Sequence, residues 1–152
     1  MLPFSGDVQS TAHNVEASKT EPDKNTYLIL QGLHGADPNY NYGTHFLFQG
    51  HETGQRDAAG NVQGYITRIN LDADGPHPVT LLATADSVGN HLPTIDGSTW
   101  YPWAQRLLFT SENGDKGGVW QATPDYPSMV DDLSGIFGRG GYEGIQADPQ
   151  CC

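Results

Sequence analysis

Leu47-Phe48-Gln49-Gly50-His51-Glu52-Thr53-Gly54 and Leu108-Phe109-Thr110-Ser111-Glu112-Asn113-Gly114 share one pattern. Each has an apolar pair, a glutamate where the strand gives way, and a glycine turn. In each copy a further turn and a glycine-led, β-prone run follow, Gly64-Tyr65-Ile66 in the first and Gly118-Val119-Trp120 in the second. The copies lie about 60 residues apart, near the repeat length of propeller blades with long loops. Chance similarity between β-hairpins is the alternative reading of the same pattern.

Outward from these copies, strand and turn signals alternate. Thr26-Tyr27-Leu28-Ile29-Leu30 is a compact β-prone run closed by Gly32. His45 to Phe48, Tyr65 to Leu71, Val79 to Thr84, Leu107 to Thr110 and Gly118 to Ala122 read as strands, and Tyr142 to Ile145 opens another. Ile66, Ile69 and Leu71 alternate imperfectly with polar residues, which predicts a bulge. Met129 to Phe137 reads as a short helix or a strand, and no segment of convincing length has a helical period. The expected fold is all-β, an incomplete β-propeller of about two blades. It spans residues 26–148, after a polar, disordered lead-in over 1–25 and before a short tail over 149–152.

The composition agrees with many turns and short strands: 19 glycines, 10 prolines and only 16% charged residues. Eighteen acidic residues against seven basic ones give a net charge of −11. A surface this acidic repels phosphate backbones, so no nucleic-acid partner is expected. The same excess suits hard cations such as calcium, or serves solubility alone. Cys151 and Cys152 are adjacent and terminal, so they make neither a disulfide framework nor a zinc site. No stretch approaches the apolar length of a membrane span, and residues 1–24 lack the basic start and apolar run of a signal peptide. A two-blade sheet array leaves open edges, which are expected to pair with other chains.

Carboxylates recur where strands yield to glycine turns, at Glu52, Glu112 and Glu143. Strand ends of successive blades converge on a propeller's channel, so these three are the expected metal-site residues. Clustered like charges persist only with cations or protons, and calcium needs six to eight oxygens. Taken singly, each is equally a turn residue in solvent. His51 and Glu52 point to opposite faces of an extended strand; Glu52 is expected inward, with His51 orienting a neighbouring strand. Asp96 before Gly97 suggests an Asx-turn, with a ligand role as the alternative. Asp72 and Asp74 resemble the start of a calcium loop whose spacing does not continue. Trp100, Trp103 and Trp120 read as packing residues. Arg139, the basic residue amid these carboxylates, is the candidate for bidentate phosphate capture, or else a turn residue. No nucleophile motif and no P-loop occur.

Several of these stretches resemble the PhoX-type alkaline phosphatase-like family of bacterial propeller proteins. Gly50-His51-Glu52 is similar to its Asn-His-Glu element. Ile95-Asp96-Gly97-Ser98-Thr99-Trp100, leading to Leu107–Asn113, is similar to its Pro-Asp-Gly segment and the Glu-Asn strand end that follows. Gly138-Arg139-Gly140-Gly141-Tyr142-Glu143 is similar to its Gly-Arg-x-x-His-Glu element, with Tyr142 in the histidine place. The order matches across about residues 26 to 148. The resemblance implies a central calcium site, iron in the phosphatases, hydrolysis of phosphate monoesters, and a periplasmic or secreted location. It implies metal-site roles for Glu52, Glu112 and Glu143. Where the family has Cys-Glu-Glu-Asn, this chain has Thr110-Ser111-Glu112-Asn113, which removes the iron-supporting cysteine and one carboxylate. A non-catalytic calcium-binding module and an inactive truncated product are the alternatives to a phosphatase.

Overall fold

The computed structural model describes residues 6–8, 22–52, 58–60 and 64–148. The chain is all-β. Strands β2 (Pro22–Ile29), β3 (His45–His51), β4 (Ile66–Asn70) and β5 (Val79–Ala83) form an antiparallel meander, and β1 (Gly6–Val8) extends it beside β5. A second antiparallel meander contains β6 (Ser98–Tyr101), β7 (Arg106–Ser111), β8 (Gly118–Ala122) and β9 (Val130–Asp132). A single helical turn, α1 (Ser134–Phe137), follows β9. Met129–Phe137 thus splits into a strand and a helical turn.

Two boundaries differ from the sequence reading. The lead-in expected to be disordered supplies β1 and the first residues of β2, and its remainder lies outside the described residues, as does the tail over 149–152. Tyr142–Ile145 forms no strand. The second sheet's first strand is instead β6, whose Thr99, Trp100 and Tyr101 are β-prone; Asp96-Gly97 before it forms no turn but pairs with Thr110 of β7.

The core lies between the sheets. Phe46 and Phe48 of β3, Ile66 of β4 and Leu82 of β5 meet Leu107 and Phe109 of β7, Trp120 and Ala122 of β8, and Val130 of β9. Leu92 and Ile95, from the connection between the sheets, complete it. On β3 the period of two puts Phe46 and Phe48 inward and leaves Leu47 half-buried. On β7 every residue from Leu107 to Ser111 is buried, the signature of a strand covered on both faces.

The bulge expected within Tyr65–Leu71 is not on that strand: β4 pairs with β3 without a break, and the β4–β5 register shift beside Ile66 and Thr67 leaves the extra residue, Leu82, on β5. Along the unbroken β4, polar side chains take the buried face. Arg68 and Asn70 face the core side with Ile66, while Leu71 is exposed. Arg68, fully buried, donates from Nε to Asn70 Oδ1 (2.7 Å), from Nη2 to His34 O (2.7 Å) and from Nη1 to Pro124 O (3.3 Å). Its guanidinium lies 4.8 Å from the Phe46 ring centre. One side chain therefore joins the β2–β3 loop to the segment after β8.

Candidate functional site

The strand-end motifs meet at one end of the two sheets, held by backbone hydrogen bonds. Ile95 N donates to His51 O (2.9 Å), which brings the connection between the sheets onto the end of β3. Asp96 N donates to Thr110 O (2.9 Å) and Thr110 N to Gly97 O (3.0 Å), extending β7 onto the same segment. Tyr142 N donates to Ser111 O (3.1 Å), so the chain after α1 returns to the end of β7. The four stretches around residues 51, 96, 111 and 142 are thereby adjacent.

The edge strands β2 and β6 also meet here. Thr26 Oγ1 and Ser98 Oγ share a hydrogen bond of 2.8 Å, and Ser98 Oγ donates to Lys24 O (3.1 Å). Thr26 lies opposite Phe48 and Ser98 opposite Phe109. Phe48 and Phe109 are the matching residues of the sequence repeat, so Thr26 and Ser98 occupy corresponding positions of the two sheets. Two residues earlier stand Lys24 and Asp96, and these also meet: Lys24 Nζ is 3.6 Å from Asp96 Oδ1 and donates to Glu143 O (2.6 Å).

Asp96 is buried, and its carboxyl group acts on that of Asp23. Hydrogen bonding with Asp96, then burial and the neighbouring Asp96 charge, raise the Asp23 pKa to about 6, against a lowering by Lys24. The Asp96 carboxylate is thus engaged by the start of β2. Asp23 and Lys24 escaped the sequence reading because they fell inside the polar lead-in. The signal was there, a charged pair directly before the β-prone run at Thr26.

Glu52, Glu112 and Glu143 do not assemble as expected. Glu52 is half-buried, while Glu112 and Glu143 are exposed. Glu143 contributes its backbone carbonyl to this end of the sheets. Among the described residues, no three His, Cys, Asp or Glu side chains come together so as to hold a metal ion. On β3 it is His51 that is buried, sharing a hydrogen bond of 2.7 Å with Thr67 Oγ1 of β4. His51 is thus held against the neighbouring strand, on the face of β3 opposite Phe46 and Phe48. Burial lowers its pKa to about 4.

Arg139 is bound by the Asp132 carboxylate at the end of β9, with its guanidinium 5.5 Å from the Trp120 ring centre. Trp120 is a core residue, Trp100 packs against the core, and Trp103 is exposed beside Tyr101. Asp72 accepts hydrogen bonds from Thr44 N and from His45 N and Nδ1, which makes it a loop anchor.

Close approach at this end requires Gly97. A Cβ there would lie 2.7 Å from Thr110 Oγ1 and 2.8 Å from both Glu143 O and Gly144 Cα. Two of the three are backbone atoms, so the 143–144 segment must move. Gly97→Ala is expected to cost about 2 kcal/mol, read as a lower urea midpoint, with faster amide exchange at Tyr142. An unchanged midpoint and exchange rate would show that the segment does not seat against Gly97.

Among the described residues, no helix is long and apolar enough to cross a membrane. Comparison with protein-family models, with curated proteins and with solved structures gave no match.

Proposed function

We propose that the chain is a phosphatase-like, propeller-type module whose two meanders are successive blades with β2 and β6 innermost. One observation carries this reading: four stretches far apart in sequence are joined backbone to backbone at one end of the sheets. In a propeller, the innermost strands of adjacent blades lie side by side around the axis. The pairing of Thr26 with Ser98 and of Lys24 with Asp96 at corresponding positions is what that arrangement requires. The resemblance to PhoX-type alkaline phosphatase-like proteins adds hydrolysis of phosphate monoesters with calcium as the activity of a closed ring, together with a periplasmic or secreted location.

Within that ring, the part proposed for this chain is non-catalytic. Glu52, Glu112 and Glu143 do not gather as a metal group, and Arg139 is engaged by Asp132. The cysteine and second carboxylate of the phosphatase motif are replaced by Thr110 and Ser111. Both are buried: Thr110 Oγ1 accepts from Gly97 N, and Ser111 Oγ accepts from Asn113 N. They brace the backbone where the phosphatases would hold metal.

The test is hydrolysis of p-nitrophenyl phosphate at alkaline pH with calcium added. The chain alone is expected to give the buffer rate, and a version extended by further sheet units to give turnover. Calcium-dependent turnover by the chain alone, lost in Glu52→Gln, would overturn the non-catalytic assignment. Absence of turnover in the extended version would overturn the phosphatase-like reading.

A further inference from the structure

We propose that Lys24 is a built-in cation at the joined strand ends, doing for Asp23, Asp96 and the Glu143 carbonyl what a bound metal ion would do. Three parts of the chain converge on its ammonium group. Lys24 itself sits at the start of β2. The Asp96 carboxylate, 3.6 Å away, belongs to the segment leading into β6. The Glu143 carbonyl, 2.6 Å away, belongs to the chain returning after α1. Gly144 packs at the same point, where an added Cβ would lie 3.8 Å from Nζ.

The chemistry explains why a cation is needed there. Asp96 is buried, and Asp23, next to Lys24 on β2, is near enough for the Asp96 carboxyl to raise its pKa. Asp23 is half-buried and Lys24 exposed, and like charges this close are eased by a proton or a nearby cation. A carbonyl oxygen aimed at the same point adds a third electron-rich group. Two carboxylates and a carbonyl are a hard-cation donor set, short of the six to eight oxygens calcium takes unless water fills the rest. In this chain the lysine ammonium, with three donors, lies against that set. A protein-borne cation needs no free ion and cannot be removed by a chelator. It also ties the edge strand of one sheet to the lead-in of the other.

This role rests on the contacts around Nζ and stands whether or not the sheets belong to a propeller. Its readout, calcium binding, is independent of phosphate hydrolysis.

The experiment is a calcium titration by calorimetry, with terbium luminescence as a second probe, on the wild type and on Lys24→Met. The methionine keeps most of the stem and removes the charge. The wild type is expected to show no saturable binding up to 10 mM calcium. Lys24→Met is expected to bind at least tenfold more tightly, near the millimolar affinity of weak calcium modules. Its thermal midpoint, lowered without calcium, should rise by about 2–4 °C in 10 mM calcium, while the wild-type midpoint stays fixed with calcium or with chelator. Lys24→Arg should behave as the wild type, and Lys24→Met combined with Asp96→Asn should lose the calcium response. If Lys24→Met does not fold, Lys24→Gln, which can still donate to Glu143 O, takes its place in the titration. Equal calcium affinity in wild type and variant would overturn the proposal, as would a charge-removed variant that is neither destabilised nor responsive to calcium.

Discussion

Arg68→Ala is expected to lower the stability of the fold by about 4 kcal/mol. The guanidinium is fully buried between the sheets and donates to Asn70 Oδ1, His34 O and Pro124 O. Truncation deletes a long side chain from a packed core, which alone costs about 2–5 kcal/mol where the site cannot collapse. It also leaves acceptors in three different segments without their donor, at about 1–3 kcal/mol for each that water cannot reach. Partial relaxation keeps the sum below simple addition. The contact with the Phe46 ring, 4.8 Å away, is lost as well. For a domain of this size the loss corresponds to a thermal midpoint about 8–16 °C lower. Arg68→Met separates the two costs: it restores most of the volume without the donors, and a loss of about 2 kcal/mol is expected. Arg68→Lys should not rescue, because one ammonium cannot reproduce the planar fork that reaches two loops at once. Urea titration of the three variants checks this order. A loss under 1 kcal/mol for Arg68→Ala would mean that the loops at His34 and Pro124 are held by other contacts.

The position of Arg68 also shows what could not be read along the chain. In Ile66-Thr67-Arg68-Ile69-Asn70-Leu71, strict alternation offers two faces, Ile66/Arg68/Asn70 or Thr67/Ile69/Leu71. Apolarity alone favours the second as the core face. The protein buries all of the first, and Thr67 besides, because Arg68 and Asn70 find partners: Asn70 Nδ2 donates to His77 O (2.5 Å) and Thr80 Oγ1 (3.0 Å). His77 and Thr80 belong to the adjoining turn and strand, but the His34 and Pro124 carbonyls that hold Arg68 come from remote loops, which no local pattern encodes. The same limit hid His51, whose burial depends on Thr67 across the ladder, and Lys24, whose two partners lie in later segments. By contrast, the apolar pairs Leu47-Phe48 and Leu108-Phe109 carried their own signal. A strand pattern ending in a glycine turn is local, and both copies became the second strand of a meander.

The convergence of the strand-end motifs was legible, whereas the disposition of their side chains was not. Gly97 and Gly141 permit close backbone approach wherever they stand, and the segments around them are adjacent. Whether a glutamate beside such a glycine points inward depends on which neighbour can be desolvated at least cost. At β3 a neutral histidine with one hydroxyl partner is cheaper to bury than an ionised carboxylate. His51 is accordingly the buried member of the pair, and Glu52 is left half-buried at the strand end.

The burial of His51 makes stability depend on pH in a defined window. Its pKa is about 4 in the fold against an ordinary value of 6.5, so between these limits the unfolded chain binds the extra proton. Stability from this group is therefore complete above pH 6.5 and is lost as pH falls towards 4, by about 3 kcal/mol in all. Asp23 acts in the opposite sense. Its pKa is raised from 3.8 to about 6, so its contribution is complete below 3.8 and is lost as pH rises through 6. The two slopes overlap and oppose each other, and the wild type should show a shallow pH profile between 4 and 6.5. Asp72, lowered to about 2 chiefly by the hydrogen bond from Thr44 N, changes only below this window. Asp23→Asn should expose the histidine limb, with a steep loss of stability on acidification from pH 6.5 to 4. His51→Gln, which can still bond Thr67, should expose the aspartate limb, with stability rising as pH falls over the same range. Urea midpoints at half-unit intervals distinguish the three curves. Parallel profiles in wild type and His51→Gln would mean that His51 titrates as freely in the folded protein as in water, which its burial against Thr67 does not allow.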